Sequence, residues 1–209
     1  MAAKRLVISL SAAADEVEGS ASDLNRLDGY AGDGDLGITM SQAAQALREV
    51  LAQSDDMSVG QLLSSCGAAI ARSAPSTSGT LVATAFLRAA KALADPPAND
   101  VEALVRAFRA ALEGIQARGK AAVGDRTLVD GVDAVCNSLQ LSLFSDLTTE
   151  EALDQAARAA SAAADATAEM EPKAGRASWV PERAKGHPDA GCTMLAIALK
   201  GAAASLRPS

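Results

Sequence analysis

"TEEALDQAARAASAAADATAEM", residues 149–170, returns alanine at three- and four-residue spacing with no glycine or proline to break it. That spacing keeps one kind of side chain on one face of an α-helix. Thr149, Glu150 and Glu151 mark the start, because acids in a first turn suit the positive end of the helix dipole. Alanine is the best helix former and adds little bulk, so helices built this way approach one another closely. The same periodicity recurs outward along the chain, at 4–26, 36–53, 58–73, 78–94, 99–118, 127–145 and 189–206. Pro96 and Pro97 close the fourth of these helices. No alternating apolar run flanks an Asn-Gly or Asp-Gly turn, so strand signals are weak. Eight helices with short connections imply antiparallel neighbours. The expectation is an all-α antiparallel eight-helix barrel or bundle, as a single domain over 1–209.

Composition agrees. Apolar residues make up 49% of the 209, enough for a core, while aromatics are only 2%, too few for a β-sandwich. The net charge is −7, and no Lys/Arg run appears, which argues against nucleic acid as a partner. The apolar patch "LVISL" near the N-terminus is five residues long and acids follow it, so neither a membrane span nor a signal segment is expected. Cys66, Cys136 and Cys192 are odd in number and far apart, which suits reduced thiols and a cytoplasmic setting.

Glycines cluster in particular connections: 28–37, 79, 119–125 and 175–191. In an up-and-down array every second connection lies at the same end. These are the connections after the first, third, fifth and seventh helices, so one end of the array is expected to carry the functional site.

The first of these connections, "DGYAGDGDLG" (28–37), holds three aspartates and four glycines. Gly32, Gly34 and Gly37 match GxGxxG, but the dinucleotide fingerprint needs a preceding strand, and here the preceding segment is helical and acidic. An EF-hand loop is excluded as well: position twelve is Ala44 counted from Asp33, or Thr39 counted from Asp28, and the bidentate Glu is missing. Two explanations stay open for these ten residues. One is a solvated, Asx-rich turn. The other is a site where Asp28, Asp33 and Asp35 converge on divalent cations that also hold phosphates. Two carboxylates ~6 Å apart repel by about 3 kcal/mol at an effective dielectric near 20. Bound cations reverse that penalty, and Mg²⁺ completes its octahedron with phosphate oxygens and water.

Other connections bear on the choice. "APSTSGTLVATAF" places Ser76, Thr77, Ser78 and Gly79 at a helix start, where free N–H groups make an anion site; plain capping by a hydroxyl is the simpler alternative. "GIQARGKAAVGD" has Gly114, Gly119 and Lys120 at P-loop spacing, but residue 121 is Ala and a helix precedes it, so a Walker A loop is rejected. "GRASWVPERAKGHPDAG" (175–191) carries Arg176, a candidate phosphate partner because its charge is permanent and its fork fits oxygen pairs. His187 in the same stretch is taken as a turn residue, since no partner stands at a known spacing.

Taken together, "LDGYAGDGDLG", "SGTLVATAFLRAA", "RGKAAVGDRTLVD" and "GRASWVPERAKGHPDAG" resemble the nucleotide-binding L subunit (DhaL-type) of dihydroxyacetone kinase, in order and across essentially the whole chain. The resemblance implies an eight-helix barrel that binds ATP or ADP at one end through two Mg²⁺ ions. It implies Asp28, Asp33 and Asp35 as metal ligands and, with Arg176, as the catalytic set. Leu36, Gly37, Ile38 and Thr39 would lie along the phosphates, and Thr77, Ser78 and Gly79 would cradle phosphate at a helix start. Gly119 and Leu128 would border the adenine. Arg176, with Asp189, Ala190 and Gly191, would cover the nucleotide. It further implies a separate K-type subunit that holds a small ketose covalently, so that this chain is the phosphoryl-donor kinase subunit. Two alternatives stay open: a subunit whose ADP stays bound and is rephosphorylated by a phosphotransferase-system protein, and a nucleotide-loaded regulatory module. A homodimer also stays open. Three departures from the family pattern are visible: Leu36 stands where His is usual, Ser76-Thr77 where a double Gly is usual, and Ala190 where Pro is usual. They leave the three aspartates intact and suit a paralogue acting on another small sugar, such as a tetrulose.

Overall fold

The structure is a computed structural model that describes residues 3–95 and 97–207. Its long helices are α1 (Ala3–Gly19), α2 (Ala21–Ala31), α3 (Leu36–Leu51), α4 (Val59–Ser73), α5 (Thr77–Ala92), α6 (Asp100–Gly119), α7 (Leu128–Phe144), α8 (Thr149–Ala166) and α10 (Ala190–Ala204). Between α8 and α10 come two 3₁₀ turns, Thr167–Glu169 and Arg176–Trp179, and the one-turn helix α9 (Pro181–Ala184). No strand occurs among the described residues.

Eight helices close a ring. In turn α1 packs on α3, α3 on α4, α4 on α5, α5 on α6, α6 on α7, α7 on α8, α8 on α10, and α10 back on α1. The closing pair is antiparallel: Gly201 near the end of α10 lies against Ala12 of α1, while Val17 of α1 shares a core cluster with Ala190 and Met194 at the start of α10. A Cβ at Gly201 would sit 2.7 Å from the Ala12 carbonyl oxygen, so glycine is what lets the ring close this tightly.

The alanine repeat that opened the sequence reading is the inner stripe of α8. Ala152, Ala156, Ala160 and Ala164 are all buried, and the first three, with Leu153, join Val135 and Leu139 of α7 and Leu199 and Ala203 of α10 in one core cluster. A second cluster fills the opposite side of the ring from α1, α3, α4 and α5, around Leu47, Leu62, Cys66 and Ile70. Small side chains on facing helices shorten the interaxial distance and gain dispersion contacts. Helix starts are set by capping boxes: Ser58 with Gln61 for α4, Thr127 with Asp130 for α7, and Thr148 with Glu151 for α8. For α8 the cap is therefore Thr148, one residue before the start expected at Thr149.

The first expected helix, 4–26, is two helices broken at Ser20 (ψ 8°). Hydrophobic periodicity runs through the break, so spacing alone does not show it. Gly19 weakens the helix there, and α2 then continues past the expected end to Ala31. Asp28 consequently sits on the last turn of a helix rather than in a loop. Helix α5 ends at Ala92, ahead of the prolines expected to close it, and Pro96 lies outside the described residues. Among the described residues no helix is long and apolar enough to cross a membrane. All three cysteines are free and buried.

Candidate functional site

Alternation around the ring gathers one set of ends: the N-termini of α3, α5, α7 and α10 and the C-termini of α2 and α6. They surround a cleft of about 1060 Å³, lined by Asp28, Asp33, Asp35, Leu36, Thr77, Ser78, Gly119, Leu128, Arg176, Asp189, Ala190 and Gly191 together with other residues of the same connections. That is at the top of the range for small-molecule sites. The glycine-rich connections thus meet at one end, as their alternation implied.

The α2–α3 turn is folded by its own carboxylate. The Asp28 Oδ2 accepts from the Gly34 N–H at 2.8 Å and the Asp35 N–H at 3.2 Å. Gly34 adopts φ +77°, the left-handed region that favours glycine. A Cβ at Gly32 would fall 2.5 Å from Asp28 Oδ1, so glycine there leaves the carboxylate its place. As a result Asp28, Asp33 and Asp35 each bring a carboxylate oxygen within 4.8 Å of the others. Asp35 has its carboxyl raised above the ordinary value, first by burial and then by the charges of Asp33 and Asp28. Arg176 crosses from the last connection to pair with Asp33 and holds that carboxyl below the usual range. Three convergent carboxylates, one of them free of any cap bond, are a donor set suited to a hard divalent cation.

The helix starts around the cleft are partly capped. Ser76 Oγ accepts from Gly79 N–H at 3.0 Å, and Thr77 and Ser78, the first two residues of α5, line the cleft at a helix start whose first N–H groups have no partner within the helix. Asp189 Oδ1 accepts from Cys192 N–H at 2.8 Å and caps α10 in the same way. Burial raises the Asp189 carboxyl, and the Cys192 N–H and the Arg126 charge offset part of that rise. Free N–H groups at a helix start are anion donors.

Not every expected residue faces the cleft. Gly37 packs against the Ala21 carbonyl, where a Cβ would collide with backbone. Ile38 points to solvent at 56% exposure, and Thr39 is buried. Gly79 closes against Ala74. Leu36 lines the cleft yet is only 4% exposed, because it also packs with Val17, Leu24, Met40 and Met194 in the core.

Two features of the site have no signature in the local sequence pattern. Arg126 is 2% exposed at φ +60° and donates Nε–H to Thr167 O at 2.9 Å, and its Nη2 to Ala184 O at 2.8 Å and His187 O at 2.6 Å. One guanidinium thus pins three carbonyls of the last connection; nothing in the local pattern of "GDRTLVD" signals this. His187, taken as a plain turn residue, stacks on Tyr30 with ring centroids 3.5 Å apart and planes 3° from parallel. The scarcity of aromatics was the available signal, since Tyr30 is the single tyrosine and it lies within the acidic stretch 28–37. Arg183 adds a bond to Gly29 O at 2.8 Å. The last connection is therefore tied to the acidic turn at three points.

A closed ring of helices with clustered carboxylates and partly capped helix starts at one end defines the class of molecule. The chain belongs to the DAK2-domain family, whose model matches residues 30–204. Within that family it is similar to the ADP-binding subunit DhaL of the PEP-dependent dihydroxyacetone kinase of Escherichia coli, 36% identical over 184 residues that cover 85% of this chain and 88% of that protein. It is also 36% identical to the L-erythrulose kinase of Pectobacterium atrosepticum, across 98% of this chain but 35% of that protein. The dihydroxyacetone kinase of C. freundii in complex with AMP-PNP and Mg²⁺ superposes with a TM-score of 0.76 at 27% identity, covering 96% of this chain and 34% of that one. The chain thus spans most of the E. coli DhaL subunit and about a third of the longer kinases.

Proposed function

We propose that this chain is the phosphoryl-donor subunit of a two-component dihydroxyacetone-type kinase. It binds ATP or ADP through two Mg²⁺ ions and passes phosphate to a small ketose held on a K-type partner subunit. The observation that carries the reading is the meeting of Asp28, Asp33, Asp35 and Arg176 in a cleft lined by partly capped helix starts. The ADP-binding role of the E. coli relative and the AMP-PNP and Mg²⁺ bound by the C. freundii enzyme support it.

Asp28, Asp33 and Asp35 supply the carboxylate oxygens for the ions. Mg²⁺ held by these three carboxylates would supply neutralisation of the charge on the transferring phosphoryl group. Arg176 pairs with phosphate oxygens from the open side. The N–H groups of Thr77 and Ser78, and those of Ala190 and Gly191, orient the phosphate tail. Gly119 and Leu128 border the base on the apolar side of the cleft. Leu36 adds an apolar side chain to the cleft lining, while Gly37, Ile38, Thr39 and Gly79 set the backbone of the two helix starts. In-line transfer asks mainly for positioning and charge neutralisation, so the acceptor's own activation belongs to the partner.

Calorimetry of ADP binding tests this. The expected result is binding that requires Mg²⁺ and falls at least tenfold in Asp33→Asn; Mg²⁺-independent binding, or an unaffected variant, counts against it. A second reading, retention of ADP with rephosphorylation by a phosphotransferase-system protein, is favoured by the three ties that hold the last connection over the acidic turn. A chase of bound radiolabelled ADP with free ATP separates the two. Release at turnover rates supports the ATP-driven kinase, and label that stays bound supports retention.

A further inference from the structure

Of the ring helices from α3 onward, α4, α5, α6, α7, α8 and α10 are each capped by the side chain of their own N-cap residue. Helix α3 is the exception. Its N-cap residue is Asp35, among the best capping types, and the Asp35 carbonyl accepts the first helical bond from Thr39 N–H at 3.0 Å. Yet the Asp35 side chain makes no cap bond. The bonds are taken by a residue from a different helix: Asn25 Oδ1 on α2 accepts from Gly37 N–H at 2.7 Å and from Ile38 N–H at 3.3 Å. These are the second and third N–H groups of α3, the ones an N-cap side chain would bind.

We propose that Asn25 is a positioning residue that caps α3 in trans so that the Asp35 carboxylate stays free for a cation. The proposal rests on the cation reading of the Asp28, Asp33 and Asp35 cluster given above. As placed, the Asp35 carboxylate brings an oxygen within 4.8 Å of Asp28 and Asp33 and leaves the Gly37 and Ile38 amides to Asn25. Without Asn25, the orphaned amides draw Asp35 inward, and the ligand set loses a member. The capping competition lowers the cation-competent population by the strength of one cap interaction, about fivefold in apparent affinity. Stability changes little, because Asp35 replaces the lost cap and alanine suits the interior of α2.

The experiment titrates Mn²⁺ in the presence of ADP on wild type, Asn25→Ala, Asn25→Asp, Asp35→Ala and the Asn25→Ala/Asp35→Ala double variant. It adds amide hydrogen exchange at Gly37 and Ile38 in the metal-free chain. The expected result is about a fivefold weaker Mn²⁺ affinity in Asn25→Ala, recovery to within about twofold in Asn25→Asp, and no added loss when Asn25→Ala is placed on Asp35→Ala. Exchange protection should persist in Asn25→Ala and vanish in the double variant. If Asn25→Ala binds Mn²⁺ as wild type does, or loses the same factor in the Asp35→Ala background, the proposal is overturned and the cation reading stands. If wild type binds no Mn²⁺, both fall, and retained exchange protection then marks Asn25 as a helix cap alone.

Discussion

Replacing Arg126 by methionine should destabilise the chain by about 3 kcal/mol. The side chain is nearly inaccessible and donates to the carbonyls of Thr167, Ala184 and His187 at 2.6–2.9 Å. A hydrogen bond from a charged donor contributes roughly 1.5–3 kcal/mol, and truncation leaves three acceptors to be resolvated. Because Arg126 also borders the cleft, water reaches some of those acceptors and lowers the sum, which sets about 3 kcal/mol as the net figure. Its left-handed φ of 60° already costs ~1 kcal/mol, so these bonds hold the residue where a side chain is disfavoured. For a chain of this length the loss corresponds to a fall in Tm of about 6–12 °C. Lysine keeps the charge but not the planar fork, and should recover less than half. Urea unfolding of Arg126→Met and Arg126→Lys measures the first effect. The dissociation rate of a fluorescent ADP measures the second, since the pinned segment carries Arg176 and His187; it should rise several-fold. An Arg126→Met chain within 1 kcal/mol of wild type, or one that releases ADP at the wild-type rate, would refute the clamp.

Other perturbations separate packing from chemistry. Asp35→Asn should stabilise the metal-free chain at pH 7 and weaken its Mg²⁺-dependent gain in Tm. Burial and the neighbouring carboxylates raise this carboxyl in the folded state, so its favourable protonated form is lost as pH rises through that raised value, and at neutral pH the charge is a cost, screened to a few tenths of a kcal/mol. Melting curves with EDTA and with Mg²⁺-ADP read both signs. Gly32→Ala should cost about 1–2 kcal/mol in urea unfolding and weaken Mn²⁺ binding about tenfold, because the new Cβ evicts the Asp28 carboxylate that also holds the Gly34 and Asp35 amides; isothermal titration checks the second effect. Gly37→Ala should instead cost about 3 kcal/mol in urea unfolding, since its Cβ meets the Ala21 backbone, which cannot yield as a side-chain tip can. Burial pushes the Cys66 and Cys136 thiols up to about 11, so a disulfide reagent at pH 8 should label neither until the chain unfolds.

Helix positions were legible because the apolar spacing is regular and caps such as Ser58, Asn99 and Thr127 sit where local chemistry demands them. The break at Ser20 was not, because the helical period continues across it, and the close packing of Ala21 against Gly37 beside it is a contact between distant parts of the sequence. The short turns at 176–184 were hidden because Arg126, distant in sequence, bonds the carbonyls of Thr167, Ala184 and His187, which bracket and end that segment. The acidic cluster was visible as composition, yet the division of labour between Asn25 and Asp35 was not. Both side chains are good caps, and only the fold decides which of them does the capping.

The central claim is that the Asp28, Asp33 and Asp35 carboxylates grip cations and, through them, a nucleotide tail. Crystals of the chain grown with ADP and Mn²⁺ test it most directly, through the anomalous signal of the metal. The account predicts peaks at coordination distance from all three carboxylates, with phosphate oxygens completing the shell. Nucleotide bound with no metal at those carboxylates, or metal bound elsewhere, would contradict it.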